Sequence, residues 1–139
     1  MKVSARVKNA QGMHDVVLVT DGNAHSINIP PKSTGFGSSA NGGELLFLAL
    51  ATCYCNDIFR EAAKRGIKVI GVEVAVEGDF GGEGEPARNV TYSAKVTANA
   101  KESEILDLIK RTDEVAEIHN TLRMATSVTL NHIDAVSEV

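Results

Sequence analysis

The sequence predicts an α+β fold in which a largely antiparallel sheet surrounds one long, buried central helix. Three observations carry that expectation. Apolar residues alternate with polar ones in the first quarter of the chain and again over residues 70–98, the period of half-buried strands. Residues 44–65 contain neither Gly nor Pro, and the first half of that stretch is apolar on every side. A third stretch, 105–119, places its apolar residues on one helical stripe. At 139 residues the chain suits a single domain, 1–139, with one hydrophobic core.

Taken in order, Val3, Ala5 and Val7 face one way and Lys2, Ser4, Arg6 and Lys8 the other, as on a half-buried strand. Gln11-Gly12 marks a turn before a second apolar strand over 16–19. Asp21-Gly22-Asn23 turns the chain again into a short third strand, Ser26–Ile29, stopped by Pro30-Pro31. These three form a β-meander. Residues 32–43, KSTGFGSSANGG, read as a flexible glycine-rich loop. Asn41 with Glu44 three residues on is a capping box, which starts the central helix, and Gly66 stops it.

From Leu45 to Cys55 the only polar side chains are Thr52 and the Tyr54 hydroxyl. A run this short cannot span a bilayer, which needs about 20 apolar residues. It is therefore a core helix, wrapped by sheet or by a partner subunit, and the expected assembly is an obligate homodimer sharing one core. Ile70, Val72, Val74 and Val76 share a strand face opposite Glu73 and Glu77. Val90, Tyr92, Ala94, Val96 and Ala98 repeat the pattern, and the turn-rich linker 78–89 joins the two strands into a long hairpin. A second helix is expected from near Asn99, with Glu102 in capping register, through the stripe ending at His119. Thr126, Val128 and Leu130 suggest a last strand.

Composition narrows the function. The formal charge is -4, Trp is absent, and Phe and Tyr number four and two, so phosphate neutralisation and base stacking lack support. No apolar export segment follows Met1, and the two cysteines stand two positions apart. The expectation is a cytoplasmic protein with reduced thiols. His14, His25, His119 and His132 are scattered without metal-ligand spacing, so neither a metal nor a cofactor is expected. The loop lacks a phosphate-binding motif.

Cys53 is the leading candidate for chemistry. Residues two apart on a helix point about 200° apart, so Cys53 and Cys55 cannot face one another. Cys55 has Ala51, Thr52, Ile58 and Phe59 as helical neighbours, which is packing company. Cys53 has Ala49 and Leu50 on one side, Asn56 and Asp57 on the other, and Arg60 further along the same face. A cation there lowers a thiol pKa, while Asp57 raises it. A cysteine on an apolar helix is most often a small core residue, and the helix alone favours that assignment. Glu44 is explained by capping without chemistry. His119, Asn120 and Arg123 form a polar patch, with His119 a general base at most.

The segment GSSANGGELLFLALATCYCNDIFREAAKRGI resembles the most recognisable stretch of the OsmC/Ohr superfamily: a glycine-rich loop, an acidic turn, and an Ala/Leu-rich helix with a cysteine near its middle. The order of strands and helices fits nearly the whole chain. The resemblance implies an intertwined homodimer with its central helices buried between two sheets. It places Cys53 at the peroxidatic cysteine, Gly43 or Glu44 at the acidic position, and Arg6, the one arginine before the helix, at the thiolate's arginine. It implies reduction of organic or inorganic hydroperoxides, with a second cysteine resolving the sulfenic acid. That second cysteine belongs in a Cys-Pro-Val-His-Asn-Thr-Leu-like stretch, and this chain has Ala116-Glu117-Ile118-His119-Asn120-Thr121-Leu122. The two-cysteine cycle therefore cannot run. The first expectation is a one-cysteine peroxidase that uses an external thiol. The others are a protein binding a small hydrophobic ligand, with Cys53 lining the pocket, and a stress-associated protein without small-molecule chemistry.

Overall fold

The computed structural model describes residues 1–138. It has the expected mixed architecture, β1 (Val3–Ala10), β2 (Met13–Thr20), β3 (Asn23–Ser26), α1 (Gly42–Lys64), β4 (Lys68–Asp79), β5 (Arg88–Asn99), α2 (Glu102–Val115) and α3 (Glu117–Arg123). The chain divides into two compact units between Leu48 and Ala49.

In the first unit, β1, β2 and β3 form an antiparallel meander in sequence order. Asp21 and Gly22 both take positive φ, 47° and 80°, which matches a two-residue hairpin turn whose twist suits the strands. Pairing therefore resumes at once, Thr20 opposite Asn23, and β3 runs over 23–26 instead of the expected 26–29. Residues 32–43 are pinned rather than loose. The Asn9 side chain accepts from the Gly37 N–H at 3.0 Å and donates to the Gly37 carbonyl at 3.2 Å. Gly37 turns there with φ 102°, a backbone that side chains other than hydrogen rarely adopt. The apolar row of β1 has no cover: Val3 and Val7 are 63% and 58% exposed.

The capping box at the start of α1 forms as expected, with Glu44 Oε1 accepting from the Asn41 N–H and Asn41 Oδ1 from the Glu44 N–H. At the other end, the Ile67 N–H reaches the Ala62 carbonyl and the Gly66 N–H the Ala63 carbonyl, with Gly66 at φ 66°. This is the glycine-terminated stop that satisfies the last carbonyls. The buried residues of α1 are Leu50, Tyr54, Asp57, Ile58, Glu61 and Ala62, a stripe at helical spacing. Leu48 and Phe59 stay about half exposed. One side of α1 is thus buried, while its other apolar side chains remain part-exposed.

The second unit builds its core from Tyr54, Ile58, Ala62, Leu108 and Ala116, with Val69, Val72, Val74, Tyr92, Ala94, Val96 and Ile109 packed around them. β4 and β5 form the expected hairpin, but a register shift between Val69 and Gly71 turns Ile70 outward, 67% exposed, and Val69 inward. A bulge does this by inserting one residue into a period-two strand. The second helix starts later than expected, with Glu104 accepting from the Lys101 N–H at 2.9 Å. It also breaks at Ala116, whose φ and ψ are -70° and 109°, so the stripe ending at His119 spans two helices. The expected last strand is absent. Residues 126–138 have neither strand nor helix, and Val128 and Leu130 are 98% and 80% exposed. A strand exists only by pairing, and among the described residues no strand pairs with this segment. Among the described residues no helix is long and apolar enough to cross a membrane.

Candidate active site

Helical spacing puts Cys53, Asp57 and Arg60 on one face of α1, at i, i+4 and i+7. The break at Ala116 brings the first turn of α3 to that face. Ala116 is fully buried, and Glu117 and Ile118 follow it directly. The half-buried Cys53 Sγ lies 3.5 Å from Asp57 Oδ2 and 3.9 Å from Glu117 Oε2, so its hydrogen faces two carboxylates. Arg60 Nη1 holds both, at 3.2 Å from Asp57 Oδ1 and 2.7 Å from Glu117 Oε1. Arg60 Nε also donates to the buried Glu61, 3.0 Å away, which Lys64 pairs at 2.8 Å.

The electrostatics follow from this crowding. Burial pushes the Cys53 thiol up, and the Asp57 and Glu117 carboxylates push it further, against the Ile118 N–H, which favours the thiolate. Burial also raises Asp57, and the neighbouring Glu117 adds to the rise while Arg60 opposes it. Glu117 goes the other way: burial disfavours its charge, but its own backbone N–H and Arg60 outweigh that and lower it. The cation expected to favour the thiolate is present, but three carboxylates share it. Cys53 is therefore a protonated thiol at rest, hydrogen-bonded to a buried acid. Ligand atoms of Cys53, Asp57 and Glu117 lie within 4.8 Å of one another, close enough for a metal ion. Arg60 already supplies the positive charge at both carboxylates, so the donor set suits a metal poorly.

Of the other residues singled out in the sequence, Glu44 is held in the capping box and Arg6 lies exposed on β1 opposite Val17. Cys55 lines a shallow depression with Ala51, Thr52, Asn56 and Val74, apart from the Cys53 cluster. His119 sits in a cage of aromatic rings, 4.7 Å from Tyr92 and 6.0 Å from Tyr54 between centroids. Both of its ring nitrogens are buried without a hydrogen-bond partner. Beside it the Tyr92 hydroxyl donates to Asp113, which Arg123 pairs at 2.7 Å. Burial pulls His119 below the usual imidazole range, with Arg123 adding to the shift and Asp113 opposing it. Sequence reasoning missed Glu117. Its signal was its place directly after Ala116, the position that the resemblance assigned to a second cysteine.

A long helix carrying two half-buried thiols, in a chain whose strands all pair antiparallel, defines the class of thiol-bearing α+β proteins. The family model for OsmC-like proteins matches residues 35–131, and the chain belongs to that family. Among solved structures, it is similar to the OsmC-like protein from Mycoplasma pneumoniae, with 19% identity and TM-score 0.58 over 86% of this chain and 87% of that one. An organic hydroperoxide resistance protein OsmC from Legionella pneumophila matches at 20% identity and TM-score 0.58, covering 88% and 90%. An organic hydroperoxide resistance protein from Elizabethkingia anophelis, with thiocyanate bound, matches at 17% and 0.59, covering 88% and 89%. No curated protein matches the chain.

Proposed function

We propose that this protein reduces hydroperoxides in defence against oxidative stress, with Cys53 as its only reacting cysteine and an external thiol as the reductant. The observation that carries the reading is the hydrogen bond from Cys53 to Asp57, at the point where α1 meets the segment that replaces the second cysteine. Support comes from membership of the OsmC-like family and from structural neighbours that are themselves organic hydroperoxide resistance proteins. Cys55 points to a different surface, and Ala116 has no sulfur, so any disulfide formed after oxidation has to be mixed. The working form is a cytoplasmic homodimer whose partner copy covers the exposed side of α1.

The raised thiol favours a second reading, in which Cys53 only lines a pocket for a small hydrophobic ligand. One experiment separates the two. Cumene hydroperoxide is added to wild type and to Cys53→Ser, followed by mass spectrometry and a peroxide assay with dithiothreitol. The peroxidase reading expects a single added oxygen on Cys53, turnover with dithiothreitol, and neither in the variant. An unmodified Cys53 with no peroxide loss sinks it and leaves the ligand reading.

A further inference from the structure

We propose that Asp57 is the catalytic acid–base partner of Cys53, taking the thiol proton as sulfur attacks and returning it to the leaving alkoxide. The inference rests on the peroxidase reading and concerns how a sulfur in this setting reacts at all.

A thiol peroxidase ordinarily gains its nucleophile from a nearby cation that stabilises a standing thiolate. Here the groups facing Sγ are Asp57 and Arg60 from α1 and Glu117 with the Ile118 N–H from α3. Two of the three charged groups are anions, and the cation between them is drawn to Asp57, Glu117 and Glu61 rather than to sulfur. A resting thiolate has little to hold it. The alternative is to move the proton within the reaction, which needs a base in contact with the S–H. Asp57 is that base: it is 6% exposed, in hydrogen-bond contact with Sγ, and fixed by Arg60 on its other oxygen. Arg60 is a positioning residue. It clamps Asp57 and Glu117 in one orientation, and its Nη2 also donates to the Val115 carbonyl just before the helix break, at 3.5 Å.

The step balances without any other group. The Cys53 sulfur attacks the terminal oxygen of the hydroperoxide, an S–O bond forms and the O–O bond breaks. The S–H proton passes to the Asp57 carboxylate and from there to the departing alkoxide. The sulfur loses two electrons to become a sulfenic acid, the hydroperoxide gains them as an alcohol, and Asp57 is unchanged. An external thiol then displaces water from the sulfenic acid to give a mixed disulfide. A second thiol frees Cys53 and leaves as the disulfide of the reductant.

The test uses two reagents that differ in their leaving groups. Iodoacetamide loses iodide, which needs no proton; cumene hydroperoxide loses an alkoxide, which does. Both rates at Cys53 are measured on the full chain from about pH 6 to about pH 11, well past the free-thiol range because this thiol is raised. The expected result is a ratio of peroxide to alkylation rate that falls as pH rises, because the S–H proton that Asp57 relays to the alkoxide is lost as the thiol ionises. In Asp57→Asn, alkylation quickens because an anion has gone. Peroxide reduction slows, so the ratio drops by at least about tenfold, the low side of what acid–base groups contribute. Asp57→Glu restores part of it. A purely electrostatic or structural Asp57 would move both rates together, and an unchanged ratio in Asp57→Asn overturns the proposal. If that variant fails to fold, the wild-type profile decides alone: a ratio constant with pH overturns the role. A wild type whose Cys53 never takes up oxygen removes the peroxidase reading itself, a result distinct from either of these.

Discussion

The two units of this chain bury their apolar residues very differently. The unit ending at Leu48 has a complete ladder of strands but hardly any interior: every position of β1 is exposed, and Val16 is the one buried residue of β2. The unit starting at Ala49 has a true core, with Tyr54, Ile58 and Leu108 fully buried. The difference teaches that hydrogen-bonded pairing and apolar burial are separate contributions. The first unit has the former and little of the latter.

Substitutions can sharpen that contrast. The largest effect is expected at Tyr54, which is fully buried, donates its hydroxyl to the Ile109 carbonyl at 2.8 Å, and is pushed up to about 12 by burial and then by Asp113. Tyr54→Ala should cost about 3–5 kcal/mol, read as a lowered urea midpoint. A cost under about 1 kcal/mol would show that the second unit's core is looser than described.

A smaller effect is expected on β1. If a partner copy covers Val3 and Val7, Val7→Ser lowers the melting temperature, and the loss grows as the protein is diluted. A change within about 0.5 kcal/mol at every concentration would mean that the row is simply solvated. Sedimentation at low micromolar concentration checks the same point, since a folded monomer there breaks the homodimer reading.

The smallest effect concerns His119. Its folded pKa lies below the ordinary 6.5, so the unfolded chain takes up the proton more readily. Stability should therefore fall as pH drops through about 6.5. His119→Leu removes two buried nitrogens without partners and should flatten that slope while costing little at neutral pH. A slope equal to wild type's would place the titration elsewhere.

Much of this was legible in the residues. Asn41 and Glu44 announced the start of α1, Gly66 its end, and the alternation through 72–98 the long hairpin, because each signal is local and each cause acts within a few residues. The misreadings share a different cause. Ile70 faced the wrong way because a bulge is invisible in a period-two pattern, and Thr126–Leu130 looked like a strand because alternation does not say whether a neighbour exists. Cys53 stood out from its own helix, but its setting depended on Glu117, which lies 64 residues away in sequence. Only tertiary structure brings that second carboxylate to the sulfur and pairs Arg60 with it.

The hairpin of β4 and β5 has a consequence for how the chain comes into being. Its two strands are neighbours in sequence, joined by a short linker, and α2 follows directly to pack on β5. Contacts this local close quickly, so the second unit is the natural place for folding to begin. On the ribosome, however, that unit is made last. The three-stranded meander leaves first, its valines bare and its outer strands open to other chains. The order of synthesis thus runs against the order of burial: the meander, with its part-exposed valines, emerges before the residues that build the second unit's core.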